Sequence, residues 1–172
     1  NPSDAKSRSG TRPGILEPEF EKIIPNSDGS GTIVEVGKNI SNTRIGDRVW
    51  IWNAQWRRAF GTAAEFVCLP SEQAIKMPDK MSFETGACLG IPGLTAAECV
   101  LDSQPREGDI VLVSGGSGSV GNLAVQLAKW SGAEVIATGS PKRFKYIKES
   151  GADHVLDYKD PDLEAKILTI AP

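Results

Sequence analysis

The sequence predicts an α/β chain, with a partial antiparallel β unit followed by the first half of a doubly wound parallel sheet. Three observations carry this expectation. Short β-rich runs separated by turn residues fill the region from Gly31 to Met77. From Asp109 the pattern changes to strand, helix, strand, helix, strand. A cluster of glycines, Gly115 to Gly121, sits at the first strand-to-helix junction of that second region.

Taken in order, Asn1 to Pro25 contains Pro2, Pro13, Pro18 and Pro25 and is expected to be irregular. Gly31 to Gly37 reads as a strand, with Ile33 on one face and Val34 and Val36 on the other. A Gly46-Asp47 turn precedes a second strand running to Trp52. Thr62 to Leu69 is expected as a third, followed by a short Gln73–Met77 strand. Ser82 is an N-cap residue for a short helix to Ala87, and Ile91-Pro92-Gly93-Leu94 introduces another to about Asp102.

The remaining elements alternate regularly. Asp109 to Ser114, rich in Val, Ile and Leu, suits a buried parallel strand. An apolar helix then begins near Ser119, with Leu123, Val125, Leu127, Ala128 and Trp130 among its apolar positions, and stops at Ser131-Gly132. Glu134 to Thr138 is the second parallel strand, and Pro141 to Ser150 a helix ended by Gly151. His154 to Asp157 is the third strand, and Asp162 to Ile170 starts a further helix. A doubly wound dinucleotide fold needs two such halves, so the sequence implies a piece of a longer protein.

The glycine cluster points to a dinucleotide. Gly116-Ser117-Gly118-Ser119-Val120-Gly121 is a G-x-G-x-x-G with a strand before it, a helix after it and a second strand at the right distance. Glycines let the backbone approach a pyrophosphate, and the helix start presents N–H groups and a positive dipole end to the phosphates. About 20 residues further on, where an NAD-binding chain places Asp or Glu, stands Gly139-Ser140-Pro141-Lys142-Arg143. A hydroxyl and two cations suit a 2′-phosphate, which predicts NADP(H) rather than NAD.

Composition narrows the function classes. The chain has 172 residues and a net charge of −3, which gives no reason to expect nucleic acid or an anionic membrane as partner. Its three cysteines, Cys68, Cys88 and Cys99, form no C-x-x-C pair and are expected as buried free thiols in a reducing compartment, here the cytoplasm. With His154 the only histidine, no set of zinc ligands at a recognised spacing is present, and no metal is expected. Trp50, Trp52 and Trp56 have two readings, core packing or a quinone-stacking cleft.

An ordered run of segments now resembles one family. These are Asn1-Pro2-Ser3-Asp4, Ile24 to Gly31, Gly46-Asp47-Arg48-Val49, Phe60 to Glu65, Gly90 to Ala96, the glycine loop, and Gly151-Ala152-Asp153-His154-Val155 with Asp157-Tyr158. Together they resemble the zinc-free, zeta-crystallin-like quinone oxidoreductases of the medium-chain dehydrogenase/reductase superfamily, over an internal stretch. The resemblance implies a GroES-like catalytic domain over residues 1–92, lacking its N-terminal part. It implies an NADP-binding Rossmann domain over 93–172, present as its first half.

It also implies roles. Gly115, Gly118 and Gly121, with Val120 between them, match the first-turn residues, and Ser117 and Ser119 fall in the same loop. Ser140, Lys142 and Arg143 match the 2′-phosphate region, Tyr158 a tyrosine near the adenosine, and Thr95 a residue near the nicotinamide amide. Asn1 and Asp4 match positions lining the substrate cleft, and no catalytic residue is assigned. Lys6 stands where many relatives have a tyrosine.

The implied activity is zinc-independent, NADPH-dependent hydride transfer to a small-molecule quinone or conjugated carbonyl. The intact protein is expected as a homodimer, and this half alone as inactive. Alternative readings are an alkenal or enone double-bond reductase of the same superfamily and a non-catalytic nucleotide-binding or structural module.

Overall fold

The computed structural model describes residues 1–14 and 17–172. They form two compact units, Asn1–Ile91 and Pro92–Pro172.

The first unit opens with helix α1, Pro2–Arg8, where an irregular segment is expected. The proline that argued against a helix occupies its first turn, where a missing N–H costs nothing, and Asp4 near the start with Lys6 and Arg8 near the end complements the dipole. Strands β1 (Gly29–Thr32), β2 (Arg48–Ile51) and β3 (Ala74–Lys76) form an antiparallel sheet in that order. Strand β1 begins earlier than expected, because Gly29 and Gly31 hide it in the sequence, and its ladder ends at Thr32 opposite Arg48. Beyond Thr32, Ile33 still exchanges backbone hydrogen bonds with Asp47 and Gly46. Gly46, just before β2, takes φ +92, and Val34 to Gly37 lie outside the sheet.

Thr62 to Leu69 forms no strand, contrary to expectation. Its start is held instead by irregular bonds: Thr62 and Ala63 donate their backbone N–H groups to Asn26 O and Pro25 O, and the Thr62 hydroxyl bonds Asp28 O. The alternating pattern there marks side chains that pack, Val67 and Leu69 against Val49, Ile51 and Ala54, without a partner strand.

That core is small, and arginines supplement it. Arg48 donates 2.6 Å hydrogen bonds to Asp79 O and Met81 O and lies 4.6 Å from the Phe83 ring centroid. Arg44 bonds Ser71 and Ala74 O. Guanidinium groups bind carbonyls because their planar fork offers several donors at once. Helix α2, Phe83–Ala87, is capped by the Ser82 hydroxyl as the sequence predicts.

Helix α3, Gly90–Leu101, leads into the second unit. There β4 (Ile110–Val113), β5 (Glu134–Gly139) and β6 (His154–Asp157) form a parallel sheet in that order. Helix α4, Ser119–Trp130, crosses from β4 to β5. Helix α5, Phe144–Glu149, preceded by a 3₁₀ turn at Pro141–Arg143, crosses from β5 to β6. Helix α6, Leu163–Ile170, follows β6. Val125, Ala128, Val135, Ala137 and Ile147 are fully buried between helices and sheet, whereas Trp130 is exposed at the end of α4.

Asp153 ties this unit together. Its carboxylate accepts from Lys129 Nζ at 2.7 Å and from the Val135 N–H at 2.8 Å, linking α4, β5 and the start of β6. Burial opposes its ionisation, but these bonds and the nearby lysines hold its pKa below the ordinary 3.8. A depressed carboxyl pKa stabilises the fold above the ordinary value and ceases to do so as pH falls through the depressed one. Asp153→Asn is expected to lower stability at neutral pH by roughly 1–2 kcal/mol, with the difference shrinking in acid. Urea titrations at pH 7 and pH 3 check this.

All three cysteines are exposed free thiols, which corrects the expectation of buried ones. Cys68 lies in the strandless segment, Cys88 caps α2, and Cys99 is on the open side of α3, where Ala96 and Val100 take the core positions. Among the described residues no helix is long and apolar enough to cross a membrane.

Candidate functional site

The parallel register sets the carboxyl ends of β4, β5 and β6 side by side: Val113 pairs with Ala137, and Ala137 with Val155. Ligands of such sheets bind outside those ends. The predicted cofactor residues of this unit converge there, except Thr95, which is exposed on α3.

The loop is built around two close approaches. Gly115 takes φ +71, a left-handed turn that glycine adopts without strain. Gly121 lies against it, so that a Cβ at Gly121 would strike the Gly115 carbonyl oxygen. Gly116 donates its N–H to Thr138 O at 2.8 Å, and Gly115 donates to the Thr138 hydroxyl at 3.2 Å. Thr138 is buried at the end of β5 and holds the loop from below. Sequence reasoning missed it, because a β-branched residue there reads only as a strand former.

Gly118 is the N-cap of α4. A Cβ there would meet only Gly115 O, at 3.4 Å. No side chain caps the helix, and its first turn, which includes Ser119, Val120 and Gly121, holds no acid. Ser117, Gly118, Ser119 and Val120 are half-buried or exposed. The helix start therefore keeps its positive end for a ligand, which fits a pyrophosphate.

Beside the loop, Ser140 is half-buried and accepts the Arg143 N–H at 2.8 Å, turning the chain so that Lys142 and Arg143 follow directly after β5. Both cations are exposed, and neither forms an ion pair among the described residues. Tyr158 donates its backbone N–H to Gly139 O at 3.3 Å, which brings its half-exposed ring to the same end of the sheet. Lys159 Nζ lies 5.6 Å from that ring's centroid.

In the first unit, Asn1 and Asp4 share a polar cluster that includes two residues outside the expected site, Ser27 and Asp28. Asn1 Nδ2 donates to Asp4 Oδ2 at 3.1 Å and to Asp28 Oδ2 at 2.7 Å. Ser27 donates to Asp4 Oδ1 at 2.9 Å, and Ile91 N–H to Asp28 Oδ1 at 2.9 Å. Burial raises the Asp28 carboxyl pKa above its ordinary 3.8, helped by the charge of Asp4, against the bonds from Asn1 and Ile91.

A cavity of about 620 Å³ opens beside this cluster, lined by Asp4, Ser27, Trp56 and others, all of the first unit. Trp50 and Trp52 are half-buried, and the Trp52 indole N–H donates to Glu72 O at 3.2 Å. Of the three tryptophans weighed for a cleft, only Trp56 lines the cavity.

Two family models match the chain, the alcohol dehydrogenase GroES-like domain over residues 1–79 and the zinc-binding dehydrogenase over 119–171. The chain is 36% identical over 169 residues to a chloroplast envelope quinone oxidoreductase homolog of Arabidopsis thaliana, covering 94% of this chain and 50% of that protein. It is 33% identical over 183 residues to trans-enoyl reductase tazE of Aspergillus terreus, covering 98% and 59%. Among solved structures, the mycobacterial protein Rv1454c complexed with NADPH superposes with a TM-score of 0.80 at 31% identity, covering 99% of this chain and 52% of that one. These matches and the two-unit fold define an oxidoreductase-type architecture, a GroES-like unit followed by half of a Rossmann fold. The chain belongs to the medium-chain dehydrogenase/reductase superfamily, among relatives named quinone oxidoreductase. It spans about half the length of the curated relatives it matches.

The name of the second family model raises zinc, and the residues present do not fit it. Asp28 already accepts N–H donors at both oxygens, and the described residues contain no group of three or more His, Cys, Asp or Glu able to hold a metal ion.

Proposed function

We propose that the full-length protein is an NADPH-dependent oxidoreductase that reduces a quinone or another conjugated carbonyl without zinc. The observation that carries the cofactor choice is the end of β5, where Ser140, Lys142 and Arg143 stand beside the uncapped α4 start with no carboxylate among them. In this reading Gly115, Ser117, Gly118, Ser119, Val120 and Gly121 wrap the pyrophosphate with backbone. Arg143 binds the 2′-phosphate through its fork, Lys142 adds a point charge, and Tyr158 covers the adenosine. Thr95 is assigned to the nicotinamide amide, and Asn1 and Asp4 to the substrate cleft. The dihydronicotinamide supplies a hydride, and the chain supplies position and polarity.

A second acceptor class has its own support, since a curated relative is named a trans-enoyl reductase. NADPH oxidation by the full-length protein with a quinone and with an open-chain enone, side by side, separates the two readings. Faster turnover of the quinone, undiminished by a chelator, is expected. Turnover that requires added zinc would overturn the proposal, and selective enone turnover would favour the second reading. A cytoplasmic location fits three exposed thiols kept reduced, and a homodimer is the assembly proposed for the full-length protein.

A further inference from the structure

Between β2 and β3, the loop of residues 53–58 carries two residues in the left-handed region, Asn53 at φ 50 and Arg57 at φ 54. Neither is glycine, and a bulky arginine there is a backbone outlier of the kind that collects at ligand sites. The loop is fixed at several points. Ala54 is fully buried and donates its N–H to Ser27 O at 2.8 Å. Arg58 donates to Ala54 O at 2.8 Å, to Asn53 O at 2.9 Å and to Gln73 Oε1. Gln73, itself buried, donates back to Asn53 O at 3.2 Å.

This scaffold presents one large apolar group. Trp56 is 55% exposed and lines the 620 Å³ cavity together with Phe20 and Ile23. The Arg57 guanidinium lies 5.5 Å from its ring centroid. The cavity is of the size that holds a small organic molecule. The indole face is electron-rich, whereas a quinone ring is flat and electron-poor, so offset stacking between them is favourable.

Resting on the functional reading above, we propose that the acceptor is a planar ring compound that stacks on Trp56, and that Arg58 is the positioning residue that fixes the loop carrying the indole. An open-chain enone, with no ring face, gains little from the same surface.

The test compares wild type, Trp56→Leu, Trp56→Phe and the distant control Trp130→Leu in the full-length protein. Kinetics with NADPH use 1,4-naphthoquinone and an open-chain enone, and calorimetry follows naphthoquinone binding without cofactor. Trp56→Leu is expected to raise KM for naphthoquinone about tenfold and KM for the enone at most about twofold, with kcat little altered. Trp56→Phe should recover most of the loss, and Trp130→Leu should alter neither KM. Arg58→Lys keeps the charge but not the fork, and should raise KM for naphthoquinone in the same direction while leaving kcat in place.

Equal effects on both acceptors, or none, would overturn the proposal. If no acceptor supports NADPH oxidation, the functional reading fails by itself and calorimetry decides here. Weaker naphthoquinone binding by Trp56→Leu then supports the stacking site, and unchanged or absent binding refutes it.

Discussion

A Gly118→Val variant of the full-length protein is expected to melt within a few degrees of wild type and to bind NADPH at least ten times more weakly. The backbone at Gly118 has φ −78 and ψ 164, an extended conformation open to any residue, and the nearest atom to an added Cβ is 3.4 Å away. The fold therefore tolerates a side chain. The space that side chain fills is the approach to the α4 N-terminus, where the pyrophosphate is assigned. Gly121→Val supplies the contrast. Its side chain would collide with the Gly115 carbonyl, which belongs to backbone and has no rotamer to escape into. That variant should lose several kcal/mol of stability, about the range of severe overpacking, along with cofactor binding. Differential scanning calorimetry paired with NADPH titration distinguishes the two. Equal destabilisation by both would mean that the glycines serve packing only.

The second large effect concerns Lys142 and Arg143. Replacing both by glutamine is expected to weaken NADPH binding by about 10- to 100-fold, the worth of one or two charge-assisted bonds to a phosphate. NADH binding should change less than twofold. The reasoning is local: both cations are exposed and outside any ion pair among the described residues, so their removal leaves no buried charge stranded. Cations this early in a helical segment oppose the dipole, and an anion between them removes that conflict. Titration of wild type and variant with both nucleotides at two salt concentrations checks this, since an ionic contact weakens with salt. Parallel losses for both nucleotides would indicate a general structural effect.

The second unit was far more legible in the sequence than the first. Its strands are continuous apolar runs, and glycines at Gly132 and Gly151 mark where α4 and α5 end, so β4 to β6 are recovered almost residue for residue; only β5 is buried, however, and Ile110 and Leu112 of β4, expected in a buried strand, are exposed. In the first unit the signals are weaker. Its strands have three or four residues, β1 contains two glycines, and the Thr62–Leu69 alternation comes from side chains that pack beside a sheet they do not join. Periodicity reports which side chains are buried and not whether a backbone partner exists.

The site divides in the same way. The glycine loop carries its chemistry in residue types at fixed spacing, and the carboxyl ends of the strands bring the distant Ser140 and Tyr158 beside it. Thr138, Ser27 and Asp28 were not legible, because each acts through a hydrogen bond to a residue far away in the chain: Thr138 to Gly115, Ser27 to Asp4 and Asp28 to Ile91. Arg58 was not legible either, since it binds the backbone carbonyls of Asn53 and Ala54 on a turn that sequence does not specify.

The most direct test of the account is a calorimetric titration of the full-length protein with NADPH and with NADH under identical conditions. NADPH is expected to bind at least tenfold tighter, because only NADPH carries the phosphate that Ser140, Lys142 and Arg143 are assigned to hold. Equal affinity, or a preference for NADH, would contradict it.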